Sequence, residues 1–131
     1  MKIYLASSYS RRVEMQGHAE VLRAFGHEIT SRWIDGSHEL GDVATDEDRA
    51  RLAEEDREDV FAADVLLSFT AGPHAAGKGR GGRHVELGMA LSLRCIRKVV
   101  IGCRENVFHY LPEVEVFDSL AEWLAFEGEV V

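Results

Sequence analysis

Short apolar runs of strand length alternate along this chain with segments of helical periodicity. Strands are predicted over residues 3–6, 27–33, 65–70, 98–102 and 114–117, and the run at 65–70 is of the continuously apolar kind that is buried on both faces. Alternating strands and helices are typical of stacked βαβ units with a parallel sheet. We therefore expect that residues 1–131 form one domain with an α/β fold. The expected architecture is a three-layer sandwich around a five-stranded parallel sheet, of the flavodoxin or Rossmann type.

The predicted helices have recognisable ends. Gly26 follows the helical segment 12–25 and suits the left-handed position just after a helix C-terminus. Thr45, with Asp48 three residues later, resembles a capping box and predicts a helix that runs to about residue 63. Shorter helices are predicted over residues 86–94 and 106–111, and either Asp118 or Ser119 is expected to cap a final helix that runs through residue 126.

Three loops are expected to meet at one edge of the sheet. In open parallel sheets, ligands bind beyond the carboxyl ends of the strands. The loop over residues 35–46 is polar, contains glycine and is too long for an ordinary connection, which indicates a lid. The site is therefore predicted among the loops over residues 7–12, 33–40 and 72–83.

The loop over residues 77–83 is rich in glycine and carries Lys78, Arg80 and Arg83. Glycines let backbone N–H groups approach an anion, the following helix N-terminus adds partial positive charge, and the cationic side chains can pair with phosphate. The segment matches neither a Walker loop nor a Rossmann fingerprint. Glu86 follows where the loop meets an apolar helix, and a carboxylate at such a boundary can have a shifted pKa. An acid in the first turn is also favoured by the helix dipole alone.

The charge balance limits the partners. With 15 Lys and Arg against 23 Asp and Glu, the net charge of −8 argues against binding a nucleic-acid polymer, which needs a basic face. No apolar run is long enough to span a bilayer and the chain starts without a signal-peptide pattern, so we expect no membrane partner and a cytoplasmic location.

Cys95 and Cys103 are expected to be buried and reduced. No metal or other cofactor is predicted, since neither these cysteines nor the six scattered histidines have ligand spacing.

Three segments resemble the signature regions of one enzyme family. They are Lys2-Ile3-Tyr4-Leu5-Ala6-Ser7-Ser8, the stretch from Asp56 to Val65, and Gly82-Arg83-His84-Val85-Glu86-Leu87-Gly88-Met89-Ala90. In order and spacing they are similar to the nucleoside 2-deoxyribosyltransferase family, whose superfamily includes the 2′-deoxynucleoside 5′-monophosphate N-glycosidases. The resemblance implies an enzyme that acts on the base–sugar bond of a small nucleoside or nucleotide and forms a homodimer or a larger homo-oligomer.

The resemblance also assigns roles to three residues. Glu86 would be the nucleophile that attacks C1′ of the sugar, Tyr4 would hydrogen-bond and orient that carboxylate, and Asp56 would donate or relay a proton to the departing base. Retaining glycoside hydrolysis has the same needs, an ionised carboxylate facing an oxocarbenium-like centre and a second acid for the leaving group. From the residues alone, two alternatives stay open: Tyr4 is only a strand aromatic, and Asp56 is one more charge on an acidic helix.

The substrate is inferred from the residues around the glycine-rich loop. Classical transferases of the family carry an aspartate where this chain has Arg80, and an arginine suits a 5′-phosphate instead. We therefore predict an N-glycosidase of (deoxy)nucleoside 5′-monophosphates, with base exchange by a transferase and a non-catalytic nucleotide-binding sensor as alternatives. Trp33 is either a surface on which the base stacks or a core tryptophan. The predicted substrate-binding residues are Ser7, Ser8, Arg11, Trp33, Arg80, Gly82 and Arg83.

Overall fold

Five parallel strands form one sheet in the part of the chain that the structure describes. The structure is a computed structural model and describes residues 1–36, 38, 44–70 and 81–129. The sheet order β2-β1-β3-β4-β5 is the flavodoxin-like doubly wound arrangement, so the predicted α/β fold is confirmed. The strands are β1 (Lys2–Ala6), β2 (Glu28–Ile29), β3 (Val65–Phe69), β4 (Arg97–Ile101) and β5 (Val114–Phe117).

Helices connect successive strands. Short 3-10 helices form at Tyr9–Arg11, Arg32–Asp35 and Val107–Tyr110. The α-helices are α1 (Arg12–Ala24), α2 (Asp46–Phe61), α3 (Gly82–Leu91) and α4 (Leu120–Phe126).

Two of the predicted helix ends are confirmed, and both predicted ends of a third helix are wrong. The Thr45 hydroxyl accepts a hydrogen bond from the Asp48 N–H at 3.1 Å, and the Asp48 carboxylate accepts one from the Thr45 N–H at 3.0 Å, which completes a capping box. Gly26 follows α1 with a left-handed φ of 88°. The helix α3 starts before Glu86, because Gly81 with φ of 78° turns the chain into the helix there, and it ends at Leu91.

The second strand is much shorter than predicted. The last backbone bond runs from the Thr30 N–H to the Ile3 carbonyl at 2.9 Å, and beyond it side chains pair with the backbone of β1. The Ser31 hydroxyl accepts from the Leu5 N–H at 3.1 Å, and the Trp33 indole N–H donates to the Leu5 carbonyl at 2.8 Å. Because these side chains satisfy the polar groups of the sheet edge, the chain can leave the sheet without exposing unpaired groups, and Arg32–Asp35 forms a 3-10 helix.

The sheet topology positions the site. The central strand β3 is buried along its whole length, as its apolar sequence predicts. The chain runs from β1 to β2 on one side of β1 and then returns to β3 on the other side. Such a reversal leaves a crevice beyond the carboxyl ends of the two diverging strands, here β1 and β3.

The two cysteines are free and exposed, not buried as the sequence analysis expected. Cys95 lies in the turn before β4, where the next residue, Ile96, takes the buried position, and Cys103 lies just after β4. Among the described residues, no helix is both long and apolar enough to cross a membrane.

Candidate active site

A cavity of about 360 Å³ opens beyond the carboxyl end of β1. The segment 7–10, the 3-10 helix Arg32–Asp35, α2 and the start of α3 surround it. The predicted site residues that line it are Ser7, Ser8, Trp33, Asp56, Gly82, Arg83 and Glu86. The lining residues that the sequence analysis did not single out are, within the described ranges, Tyr9, Ser10, His38 and Gly81.

Glu86 of α3 is held by Tyr4 of β1. The Tyr4 hydroxyl donates a hydrogen bond to Glu86 Oε2 across 82 residues of sequence. Tyr4 is fully buried, so its hydroxyl does not lie at a solvent-exposed rim. The carboxylate thus has one oxygen fixed from inside the protein while its residue lines the cavity.

The environment of Glu86 favours its protonated form. Burial raises the pKa of Glu86 from an ordinary value of 4.5 to about 8, the Tyr4 hydrogen bond lowers it in part, and the negative charge of Asp56 raises it further. Burial, with the charge of Glu86 second, also raises the pKa of Tyr4 well above 10.0, so Tyr4 stays a neutral hydrogen-bond donor. A carboxyl with so large a perturbation, in a cavity, is typical of a functional site.

Asp56 of α2 lies in the same cavity and is paired with His38. The distance from His38 Nε2 to Asp56 Oδ1 is 2.7 Å. Burial raises the pKa of Asp56, and His38 opposes that rise through its charge and its hydrogen bond. The cavity therefore contains two carboxyl groups in different environments, Glu86 against a tyrosine hydroxyl and Asp56 against an imidazole, which is the arrangement that lets two acids take different protonation roles.

Arg83, in the first turn of α3, is bound to a carboxylate within the protein. Its Nη2 lies 3.1 and 3.0 Å from the two carboxylate oxygens of Glu105, and its Nε lies 3.3 Å from Oε1. The side chains are only 12% and 16% exposed. The predicted phosphate-binding arginine is thus at the cavity with its charge already balanced.

Arg11 and Trp33 also have partners within the protein. Arg11 forms an ion pair with Glu14 at 2.6 Å and donates to the Thr70 carbonyl at 3.1 Å; it is absent from the described cavity lining. The indole of Trp33 is 5% exposed and anchored on β1, yet the residue lines the cavity and its ring lies 6.1 Å from that of Tyr9. Arg80 lies outside the described residues.

The serines after β1 place hydroxyl groups in the cavity wall. Ser7 Oγ is buried and has no hydrogen-bond partner among the residues that the structure describes. Ser8 Oγ lies 3.3 Å from Ser10 Oγ. Because buried polar groups are nearly always paired, the Ser7 hydroxyl is suited to bind a polar group of a ligand.

Two residues that the sequence analysis missed change the site. His38 lies on the loop that its length marked as a lid, and that length was the signal that could have found it. Glu105 lies after β4 and is one of 23 acidic residues in the chain, and nothing in its local sequence distinguishes it. Within the described ranges, no group of three or more His, Cys, Asp or Glu side chains is placed to hold a metal ion.

This chain is similar to known proteins in its structure, although no match was found by sequence. No protein-family model matches this chain, and no curated protein matches it by sequence. A 2-deoxyribosyltransferase from the psychrotolerant bacterium Bacillus psychrosaccharolyticus superposes with a TM-score of 0.69 at 19% identity, covering 97% of this chain and 90% of that one. The chain shares the fold of that enzyme. A CMP N-glycosidase from Clostridium botulinum superposes with a TM-score of 0.57 at 14% identity, covering 98% of both chains. The resemblance found in the sequence is thus confirmed at the level of the fold.

Proposed function

We propose that this protein is an N-glycosidase that cleaves the base–sugar bond of (deoxy)nucleoside 5′-monophosphates through a covalent glycosyl-enzyme on Glu86. The observation that carries the proposal is the buried Tyr4 hydroxyl bound to Glu86 in a cavity that also contains Asp56. The two enzymes with the same fold act, by their names, on the deoxyribosyl group and on CMP, which supports this substrate class.

In the proposed first step, Glu86 attacks C1′ as the bond from C1′ to the base nitrogen breaks. The bonding electron pair leaves with the base, and Asp56 supplies the proton that this nitrogen takes up. Burial raises the pKa of Asp56, which suits a proton donor, and His38 holds one of its oxygens. In the second step, a water oxygen attacks C1′, its proton returns to Asp56, and the Glu86 carboxylate is released.

The nucleophile must be ionised to attack. Because the pKa of Glu86 is about 8, most of the carboxyl groups carry a proton at neutral pH. The Tyr4 hydrogen bond lowers that pKa, and positive charge developing on the sugar stabilises the carboxylate further. Since Asp56 must carry the proton while Glu86 is ionised, the rate is expected to pass through a maximum. It falls on either side as one of the two carboxyl groups changes its protonation state.

The features that support a phosphorylated substrate are grouped at the start of α3. Gly82 and Arg83 line the cavity there, and helix N-termini bind phosphate groups well. Ser7 and Ser8 add hydroxyl groups from the loop after β1. Arg80 remains a predicted phosphate ligand.

Base exchange is the second candidate function. The ion pair of Arg83 with Glu105 reduces the net positive charge of the cavity wall and so favours an unphosphorylated nucleoside. The superposition on the 2-deoxyribosyltransferase, with the higher TM-score of the two, is also consistent with exchange. A non-catalytic sensor is disfavoured because it has no use for a buried tyrosine that holds a carboxyl group in the cavity.

The test is release of free base. The purified protein is incubated with the common ribo- and deoxynucleoside 5′-monophosphates and with the matching nucleosides, and products are separated by chromatography. The proposal is supported if the wild type releases free base from monophosphates and Glu86→Gln does not. A second free base added to the reaction distinguishes exchange: new nucleoside or nucleotide containing that base means a transferase. Turnover by Glu86→Gln at the wild-type rate would contradict the covalent mechanism.

We also propose that the protein forms a homo-oligomer through an apolar surface next to α3. Val85 and Phe108 are each 60% exposed and line a second cavity, of about 340 Å³, together with Leu91. Exposed apolar groups of this kind are typical of contact surfaces. Light scattering of Phe108→Ser should show a smaller particle than the wild type, and a monomeric wild type would contradict this assembly.

A further inference from the structure

We propose that Glu105 is a specificity-determining residue, which lowers the affinity of the cavity for phosphorylated ligands by balancing the charge of Arg83. The inference rests on the proposed function for the class of ligand only. It concerns how strongly the cavity discriminates between a nucleoside monophosphate and the same nucleoside without phosphate.

Arg83 is well placed to govern this discrimination. Among the described residues that line the cavity, it is the one arginine or lysine. The same lining contains two glycines and three serines, which can bind phosphate but carry no charge. Within the described part of the wall, the permanent positive charge therefore comes from one guanidinium group.

Glu105 is bound to that guanidinium in the strong, two-oxygen geometry. Nη2 contacts both carboxylate oxygens, at 3.1 and 3.0 Å, and Nε contacts one of them at 3.3 Å. With side chains 12% and 16% exposed, the pair is poorly screened by solvent. A phosphate that approaches Arg83 therefore meets a nearby carboxylate of its own sign.

The protein holds Glu105 in place from its backbone. The Glu105 N–H donates to Nδ1 of the fully buried His109 at 2.9 Å. The next residue, Asn106, caps the following 3-10 helix through a 2.9 Å bond to the Phe108 N–H. Because this backbone is anchored at successive positions, Glu105 is a fixed competitor for the guanidinium and not a mobile surface acid.

The alternative is that Glu105 only ties α3 to the loop after β4, or aims the arginine for phosphate. These readings predict opposite results for Glu105→Gln, which keeps the shape of the side chain and removes its charge. If Glu105 attenuates the charge, the variant binds monophosphates more tightly. If Glu105 aims the arginine, monophosphate binding weakens. If Glu105 is only a structural tie, the affinity ratio between phosphorylated and unphosphorylated ligands stays the same.

The experiment is isothermal titration of the full chain in a Glu86→Gln background, so that no ligand is consumed. The probes are deoxynucleoside 5′-monophosphates, the matching deoxynucleosides and inorganic phosphate. Adding Glu105→Gln should tighten binding of monophosphates and inorganic phosphate about tenfold or more, the scale of one charge-assisted hydrogen bond, and leave deoxynucleosides within about twofold. Unchanged or weaker binding of monophosphates and phosphate overturns the proposal.

The matched control is Glu115→Gln. Glu115 forms a comparable two-oxygen pair with Arg97, at 2.8 and 2.9 Å, but at the amino end of β4, away from the cavity. Its loss should leave the affinity ratio unchanged. If Glu105→Gln does not fold, Glu105→Ala removes the same charge and is titrated in its place. Tighter binding of monophosphate and inorganic phosphate supports the proposal, and unchanged or weaker binding overturns it.

This result is separable from the proposed reaction. Tighter monophosphate binding in the variant, without base release by the wild type, would retain Glu105 as the specificity residue of a nucleotide-binding protein and reject the N-glycosidase. Base release by the wild type, without any change of affinity in the variant, would retain the N-glycosidase and reject the proposed role of Glu105.

Discussion

Replacing Glu86 by glutamine should stabilise the fold, and more so as the pH rises. The pKa of Glu86 is raised by burial from 4.5 to about 8 in the folded protein. A group whose folded pKa is raised binds its proton more tightly in the folded chain than in the unfolded one. Its contribution to stability is therefore fully present below pH 4.5 and is lost as the pH rises through about 8. Glutamine stays neutral and has no such dependence.

The size of the effect follows from the two pKa values. Each pKa unit corresponds to about 1.4 kcal/mol, so the displacement from 4.5 to about 8 is worth about 5 kcal/mol once the group is fully ionised in both states. At about pH 7 the folded carboxyl is still largely protonated, and the loss is about 3 kcal/mol. For a domain with a typical free energy of unfolding of roughly 5 to 15 kcal/mol, this is a large fraction.

Urea denaturation measures the prediction directly. The free energy of unfolding of Glu86→Gln should exceed that of the wild type by less than about 1 kcal/mol near pH 5, by about 3 near pH 7 and by nearly 5 near pH 9. Glu54→Gln, at an exposed position of α2, controls for the loss of one negative charge. Parallel stability profiles for the wild type and Glu86→Gln would refute the burial argument, and with it the idea that Glu86 is poised between two protonation states.

The remaining predictions concern Tyr4, Asp56 and the N-terminal cap of α2. Tyr4→Phe removes the hydrogen bond that lowers the pKa of Glu86, so the limb of the kcat/KM profile that reports Glu86 should move to higher pH. An unmoved limb would contradict the coupling. Asp56→Asn should lower kcat by about two to four orders of magnitude, and least for substrates whose base leaves without a proton. A small, uniform loss would make Asp56 a solvated charge. Thr45→Ala should cost about 1 kcal/mol in urea denaturation, because it removes the cap of α2, and an unchanged midpoint would show that the cap contributes nothing.

The elements predicted correctly are those that local sequence determines. The apolar run of β3 fits burial on both faces, and the Thr45 capping box forms from residues three positions apart. The second strand was predicted too long, because its end is set by contacts with β1, which is distant in sequence. Ser31 and Trp33 form side-chain hydrogen bonds to the backbone of Leu5. No local pattern in residues 27–33 indicates that side chains, and not backbone groups, will form these bonds.

The candidate catalytic residues were proposed from the resemblance, and the fold supplies the contacts between them. Tyr4 and Glu86 are 82 residues apart, and only the packing of α3 on β1 brings them into contact. The raised pKa of Glu86 needs that burial together with the charge of Asp56. The pairing of Asp56 with His38 joins a helix to a loop, and its geometry could not be read from either segment alone.

The two described arginines of the predicted phosphate site both have carboxylate partners, for an electrostatic reason. A chain with 23 acidic and 15 basic residues offers each arginine an excess of carboxylates. Arg11 pairs with Glu14, and Arg83 pairs with Glu105. Counting cations in a loop therefore overestimates the positive potential that a phosphate meets there. On the proposed role of Glu105, phosphate affinity in such a chain depends less on the number of arginines at the cavity than on how firmly the fold holds their carboxylate partners. The partner of Arg83 is anchored by its backbone.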